Sequence, residues 1–434
     1  MKKPKELKPD TLSLHAGQRP DPTTGARATP IYQSSSFVFE NTENAAGIFN
    51  AERAGHTYSR ITNPTNAVLE ERISALEGGV GAIATSSGQA ALHLAITTIL
   101  DQGSHILASK SLYGGSHNLL EYTLPRFGIE TTFIDFRDVN LVEKNIKANT
   151  RLLFGETLGN PGLDIMDIPS ISEIAHKNKI PLLVDSTFTT PHLLKPFDLG
   201  ADLIFHSATK FLSGHGVVIG GLLVDSGNFN WDDSGKFPQL TEKYQGFHDM
   251  IFTEEFGPSA YINRARKEGA RDFGACMSPH TAFLILQGME TLSLRMDRHV
   301  SSTRKIVEFL NTHQSVDKVH YPELESHPDH LLAKKYLNKG CGAVFTFELN
   351  GGKKEGIQFI ENLNIFSHLA NVGDAKSLVI HPASTTHQRM SVEALEEAGI
   401  SEGLIRLSIG IESVDDLIED LEKGFRTASK ALKK

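Results

Sequence analysis

Apolar and polar positions along this chain change period several times, and the changes divide it. Residues 1 to about 65 show no sustained period; rich in Pro, Thr, Ser and Gly, they read as an extended N-terminal arm. Leu69, Ile73 and Leu76 then recur at helical spacing, and Gly78-Gly79 closes that helix. From there short apolar runs alternate with helical ones. Strands are expected at 81–87, 105–109, 129–135, 151–157, 180–186, 201–207 and 217–225. Helices are expected at 88–100 and near 115–125, 139–147 and 168–177. This βαβα rhythm predicts an α/β fold, a mostly parallel central sheet with helices on both faces.

The rhythm stops near residue 226. From 226 to 275 the chain is polar and aromatic, with Trp231, Phe237, Tyr244, Phe247 and Phe252. So many apolar anchors mark an insertion rather than a flexible tether. One long helix is expected over about 279–310, followed by strands at 342–349 and 404–412 and a last helix near 414–430. The expected organisation is an arm (1–65), a large domain (66–278) and a smaller C-terminal α+β domain (279–434). No internal repeat or low-complexity segment interrupts it.

Composition narrows the class. With 434 residues, 39% hydrophobic and 22% charged, the chain reads as a soluble globular protein of two or three domains. A net charge of -9 argues against a nucleic-acid partner, which calls for a basic patch. No apolar run reaches the roughly 18 residues of a membrane helix, and the basic start MKKPKELKPD lacks the apolar core of a secretory signal. Cys276 and Cys341 form no CxxC pair, so neither a disulfide framework nor a zinc knuckle is expected; their scarcity fits a reducing cytoplasm. His206 and His215 stand nine apart and no HExxH occurs, so no metal site is expected. A nicotinamide dehydrogenase needs G-x-G-x-x-G after an early strand. The run GHGVVIG has one residue too many between its second and third glycines and follows a late strand.

Candidate chemistry lies at strand ends. Lys210, in HSATKFLSGHG, follows the apolar strand ADLIF. A lysine that forms a Schiff base must shed its proton, which desolvation and neighbouring cations favour. Ser207 and Thr209, two apart and pointing the same way in an extended segment, suit a phosphate. Asp185 ends the strand IPLLVD, where open α/β sheets place ligands. It is either a turn former or a carboxylate that keeps a pyridine nitrogen protonated. Ser86, Ser87, Gly88 and Gln89 open a helix, whose N–H groups bind anions; the alternative is a plain capped loop. Tyr58 and Arg60 lie in the polar arm, where an arginine is either solvated or reaches a phosphate of another subunit. Arg406 interrupts an apolar strand and needs a carboxylate, structural or from a substrate. Tyr113 is either loop packing or a ring laid over a flat cofactor.

Taken in chain order, YSRITNPT, SSGQAA, LYGGS, ETLGNP, VDSTFTTP, HSATKFLSGHG and RLSIGIE resemble the Cys/Met-metabolism family of pyridoxal-phosphate enzymes. The resemblance spans residues from about 11 to 425 and implies an aspartate-aminotransferase-like fold. It further implies that Lys210 holds the cofactor as a Schiff base and shuttles protons, Asp185 pairs with the pyridine nitrogen, and Tyr113 stacks on the ring and assists catalysis. Ser87, Gly88, Gln89, Ser207 and Thr209 would hold the phosphate, joined by Tyr58 and Arg60 of a neighbouring subunit in a homo-oligomer, usually a tetramer. Asn160 would contact the ring oxygen or the substrate, Tyr58 would also face the substrate, and Arg406 with Ser384 would bind its α-carboxylate. Phe211 departs from the pattern, since an aromatic hydroxyl is commoner there.

Within the family, the opening TLSLHAGQRPDPTTGARATPIYQSSSFVF and the insertion are most similar to the O-acetylhomoserine sulfhydrylase branch. That implies replacement of acetate on O-acetyl-L-homoserine by sulfide, giving L-homocysteine for methionine biosynthesis. Cystathionine γ-synthase and the γ-lyases share the cofactor site and differ in leaving group and nucleophile. The sequence leaves open acetyl against succinyl or phosphoryl esters, and the natural sulfur donor.

Overall fold

Strand residues alternate faces, and both faces of this sheet are buried. In β4 (Thr150–Glu156), Leu152 and Phe154 join one apolar cluster while Leu153 joins the other. β5 (Leu182–Asp185) and β6 (Leu203–Ser207) behave alike: Leu183, Leu203 and Phe205 face one way, Leu182, Val184 and Ile204 the other. Near-continuous apolar runs are therefore what this sheet requires. Each fully buried Leu or Ile contributes on the order of 1.5–3 kcal/mol. The computed structural model that shows this describes residues 7–50, 52–159, 162–385 and 401–431.

With β1 (Gly81–Thr85), β2 (His105–Ser109), β3 (Glu130–Ile134) and β7 (Gly221–Asp225), the large sheet has the order β1-β7-β6-β5-β4-β2-β3. Among the described strands of this sheet, β7 alone runs opposite to the rest. Helices α3 (Pro64–Glu77) and α7 (Ile168–Lys177) cover one face, and α4 (Gly88–Thr97) covers the other. A second, mostly antiparallel sheet follows, β10-β11-β12-β9-β8, built from Val316–His320, Val344–Leu349, Ser367–His368, Leu378–Ile380 and Leu404–Ser408. The mostly parallel sheet with helices on both faces, and the smaller second sheet, are as expected.

Three expectations need correction, over the arm, the helix at 279–310 and the start of β7, and the segment after 226 gains detail. The arm is not uniformly extended: it holds α1 (Pro9–His15) and α2 (Thr42–Phe49). Helices of seven and eight residues are too short to display a period; α2 starts instead on a local cap, Asn41 accepting from Asn44 N–H at 2.8 Å. The segment after 226 forms a succession of short helical turns. Trp231, Phe237, Leu240, Phe252 and Tyr261 bury themselves on the α4 face, and Tyr261 donates to Ala95 O at 3.0 Å. The helix expected over 279–310 is two, Pro279–Glu290 and Leu292–Asn311. At the break the Arg295 guanidinium collects the carbonyls of Gly288 (2.6 Å), Phe211 (2.8 Å) and Leu212 (3.3 Å). Finally, β7 starts at Gly221, not 217, because Gly220 is drawn into bonds with Thr209.

Candidate active site

Three adjacent parallel strands end in polar residues: β4 in Glu156, β5 in Asp185, β6 in Ser207. Glu156 and Asp185 are register partners, so both side chains leave the same face at the carboxyl edge. They form the floor of a cavity of about 270 Å³. Its walls come from the start of α4 (Ser87, Gly88, Gln89), from Tyr113 and Ser116, from the turn bearing Thr209 and Lys210, and from Asn371 and Arg406 of the second sheet's unit.

After β6 the chain turns at once: Lys210 N–H donates to Ser207 O at 3.1 Å and Gly214 N–H to Lys210 O at 2.8 Å. Ser207 and Thr209 therefore meet in the cavity by a turn, not by the extended geometry expected of them. Thr209 Oγ1 accepts from Gly220 N–H at 3.1 Å. Phe211, fully buried, packs its ring edge-on to His299. The Lys210 amine donates to Asn371 Oδ1. Burial first, and then the Arg406 charge, push that amine down to about 8 against the pull of Asp185.

The floor is a pair of buried carboxyls. Burial raises Asp185, while its bonds from Thr187 and the charges of His206 and Lys210 draw it back. Thr187 N–H reaches Asp185 Oδ1 at 2.9 Å. Glu156 is pushed well above the carboxylate range by burial and by Asp185, opposed by a single bond from Tyr113 N–H at 2.5 Å. Arg406 lies mid-strand in β12 (Leu404–Ser408), opposite Ile380 and Thr346; burial lowers its pKa and Tyr113 counters this.

At the other end, Ser87 caps α4 by accepting from Ala90 N–H at 3.1 Å. The first-turn N–H groups of Gly88 and Gln89 have no acceptor within the helix and suit an anion. A Cβ on Gly88 would stand 2.8 Å from Ser207 Cβ and 2.9 Å from Ser207 Cα, so only glycine lets the helix start approach this hydroxyl. An anion cradle, a carboxylate floor and a desolvated amine in one cavity form a donor set that fits pyridoxal phosphate.

The chain does not bring every expected residue there. Tyr58 is 44% exposed and outside the cavity. Arg60 lies 5.4 Å from the Tyr58 ring centroid and donates to Arg271 O. Ser384 is also outside the lining, its hydroxyl 2.8 Å from His381 Nδ1. Asn160 lies outside the described residues. Glu156, Ser116 and Asn371 were not singled out by sequence. Glu156 carried the same signal as Asp185, a carboxylate ending an apolar strand. Ser116 is a buried hydroxyl with no hydrogen-bond partner among the described residues, and Asn371 sits in a loop without pattern.

Comparison with known proteins gives one picture. The family described as "Cys/Met metabolism PLP-dependent enzyme" matches residues 10–426. The O-acetyl-L-homoserine sulfhydrylase of Leptospira meyeri is 47% identical over 98% of both chains. The homocysteine synthase of Schizosaccharomyces pombe is 46% identical over 96% of this chain and 98% of its own. A crystal structure from Campylobacter jejuni, a candidate O-acetylhomoserine (thiol)-lyase bearing a pyridoxyl-lysine monophosphate, superposes with a TM-score of 0.93 at 38% identity, over 97% of this chain and 100% of that one.

Proposed function

The chain belongs to the Cys/Met-metabolism family of pyridoxal-phosphate-dependent enzymes, and from that premise we propose that it is an O-acetyl-L-homoserine sulfhydrylase. The reaction breaks the Cγ–O bond of O-acetyl-L-homoserine and forms a Cγ–S bond to sulfide, releasing acetate and L-homocysteine, a step of methionine biosynthesis. The observation that carries the reading is the meeting of Lys210, Asp185 and Arg406 in one cavity. The names of the relatives supply the substrate and the product.

When bound, pyridoxal phosphate supplies an electron sink that stabilises negative charge on carbons next to the substrate amine. Lys210 would hold it covalently, with Gly88, Gln89, Ser207 and Thr209 on its phosphate, Asp185 at its ring nitrogen and Tyr113 over its ring. The chain's own groups do the rest. Arg406 grips the α-carboxylate with two parallel N–H bonds and so orients Cα. The Lys210 amine, once free to move, carries the protons that leave and return at Cα and Cβ. Its depressed pKa favours that role, because a base titrating near working pH is both available and basic. The Tyr113 hydroxyl is a second proton carrier at the same mouth.

Tyr58 and Arg60 sit outside their own chain's cavity, which supports a second copy as the owner of the site they serve, in a dimer or a tetramer of dimers. Among the described residues no helix is long and apolar enough to cross a membrane. The sparse cysteines suit a reducing compartment, and a cytoplasmic location is part of this reading. Steady-state kinetics with O-acetyl-, O-succinyl- and O-phosphohomoserine against sulfide, methanethiol and cysteine tests the reading. The highest kcat/KM is expected for the acetyl ester with sulfide. Preference for cysteine would instead assign a cystathionine γ-synthase.

A further inference from the structure

The cavity floor holds one carboxyl more than the chemistry above uses. Asp185 and Glu156 are neighbours on adjacent strands, on one face, both beneath the cofactor site. Two buried carboxyls this close do not both ionise: the second charge lacks solvent and faces the first. Their partners decide which keeps the proton. Asp185 receives the Thr187 N–H and hydroxyl and is drawn down further by Lys210 nearby. Among the described residues Glu156 receives one N–H, that of Tyr113. The other charged group lining the cavity, Arg406, acts on Lys210 from the far wall.

We propose that Glu156 is a positioning residue of the cofactor site: a neutral carboxylic acid that anchors the Tyr113 backbone and leaves Asp185 as the only negative charge beneath the ring. A second anion there would bind the cofactor's ring N–H in competition with Asp185 and would draw protons toward the floor. A neutral acid avoids this while keeping a carbonyl oxygen for Tyr113 N–H. That bond holds the start of α5 (Gly114–Asn118), where Gly115 lies close against the Tyr113 ring: a Cβ there would be 2.5 Å from Tyr113 Cε1. Glu156 thus acts through Tyr113 and Asp185. The claim concerns the cofactor site and stands whichever homoserine ester is the substrate.

The test uses the cofactor-loaded enzyme and a readout that needs no turnover. An infrared difference spectrum of wild type minus Glu156→Gln at neutral pH is expected to show a protonated-acid C=O stretch that the variant loses. Carboxylate bands in its place would overturn the proposal. A pH titration of the absorbance of the lysine-bound cofactor reads the same state independently. Glu156→Gln, neutral for neutral, should move the midpoint by less than about 0.3 unit, whereas loss of a true anion would lower it by about one unit or more. Glu156→Met removes the acceptor for Tyr113 N–H and should lower kcat/KM roughly ten-fold further than Glu156→Gln. Equal losses in the two variants would sink the anchoring part. Should Glu156→Met fail to fold, the infrared and titration results on Glu156→Gln still decide the charge state.

Discussion

A lysine amine that titrates near 8 behaves as a nucleophile where an ordinary lysine is still fully charged. The neutral fraction rises with pH through that midpoint, so capture of pyridoxal phosphate by the apoenzyme should accelerate through pH 8 and level off above it. Arg406 is the second cause of the depression, after burial. Arg406→Gln removes that cation and should move the midpoint upward, by about half a unit or more; stopped-flow absorbance across pH measures it. A midpoint that stays in place or falls would separate Arg406 from the amine. Lys210 and Asp185 were legible because each stands where an apolar strand stops. Glu156 stands in the same place at the end of RLLFGE. Its meaning appears only when the register of β4 and β5 sets it beside Asp185, and register is not written in either strand alone.

Elements announced themselves when they were long, periodic or bounded by glycine. α3 shows this, closing on Gly78 with φ 85°, a conformation glycine adopts without strain. The helix break at Thr291 did not announce itself, because its cause is a side chain four residues on that reaches carbonyls of a different segment. The start of α4 is the element most exposed to a single atom. Gly88→Ala would push a methyl against Ser207 backbone and side chain, forcing the helix away from the phosphate cradle. Overpacking of this kind costs about 1–3 kcal/mol. The variant should retain its fold by circular dichroism yet lose cofactor on dialysis, with Kd raised about ten-fold or more. Unchanged retention of the visible absorbance would show that the cradle lies elsewhere.

At the scale of the whole molecule, the alternation of strands and helices predicted the parallel sheet, since each crossover must cover a face. Tyr58 and Arg60 lie outside the cavity of their own chain. If Tyr58 and Arg60 serve a second copy, two inactive variants should rescue one another. Lys210→Ala and Arg60→Ala, mixed after dissociation and reassembled, are expected to recover up to about a quarter of wild-type activity, one intact site per hybrid dimer in a random mixture. No recovery would place Arg60 in its own chain's site or in none.

The lysine turn is gripped from two sides that are remote in sequence. Arg295 holds its carbonyls and Gly288 packs close against them, while Gly373 lies against the Lys210 backbone and Ala375 N–H donates to Gly214 O at 2.8 Å. The residue proposed to do the chemistry is thus a keystone laid between two arches. Neither half of this protein, cut out and kept alone, would be a lesser catalyst; it would be no catalyst at all.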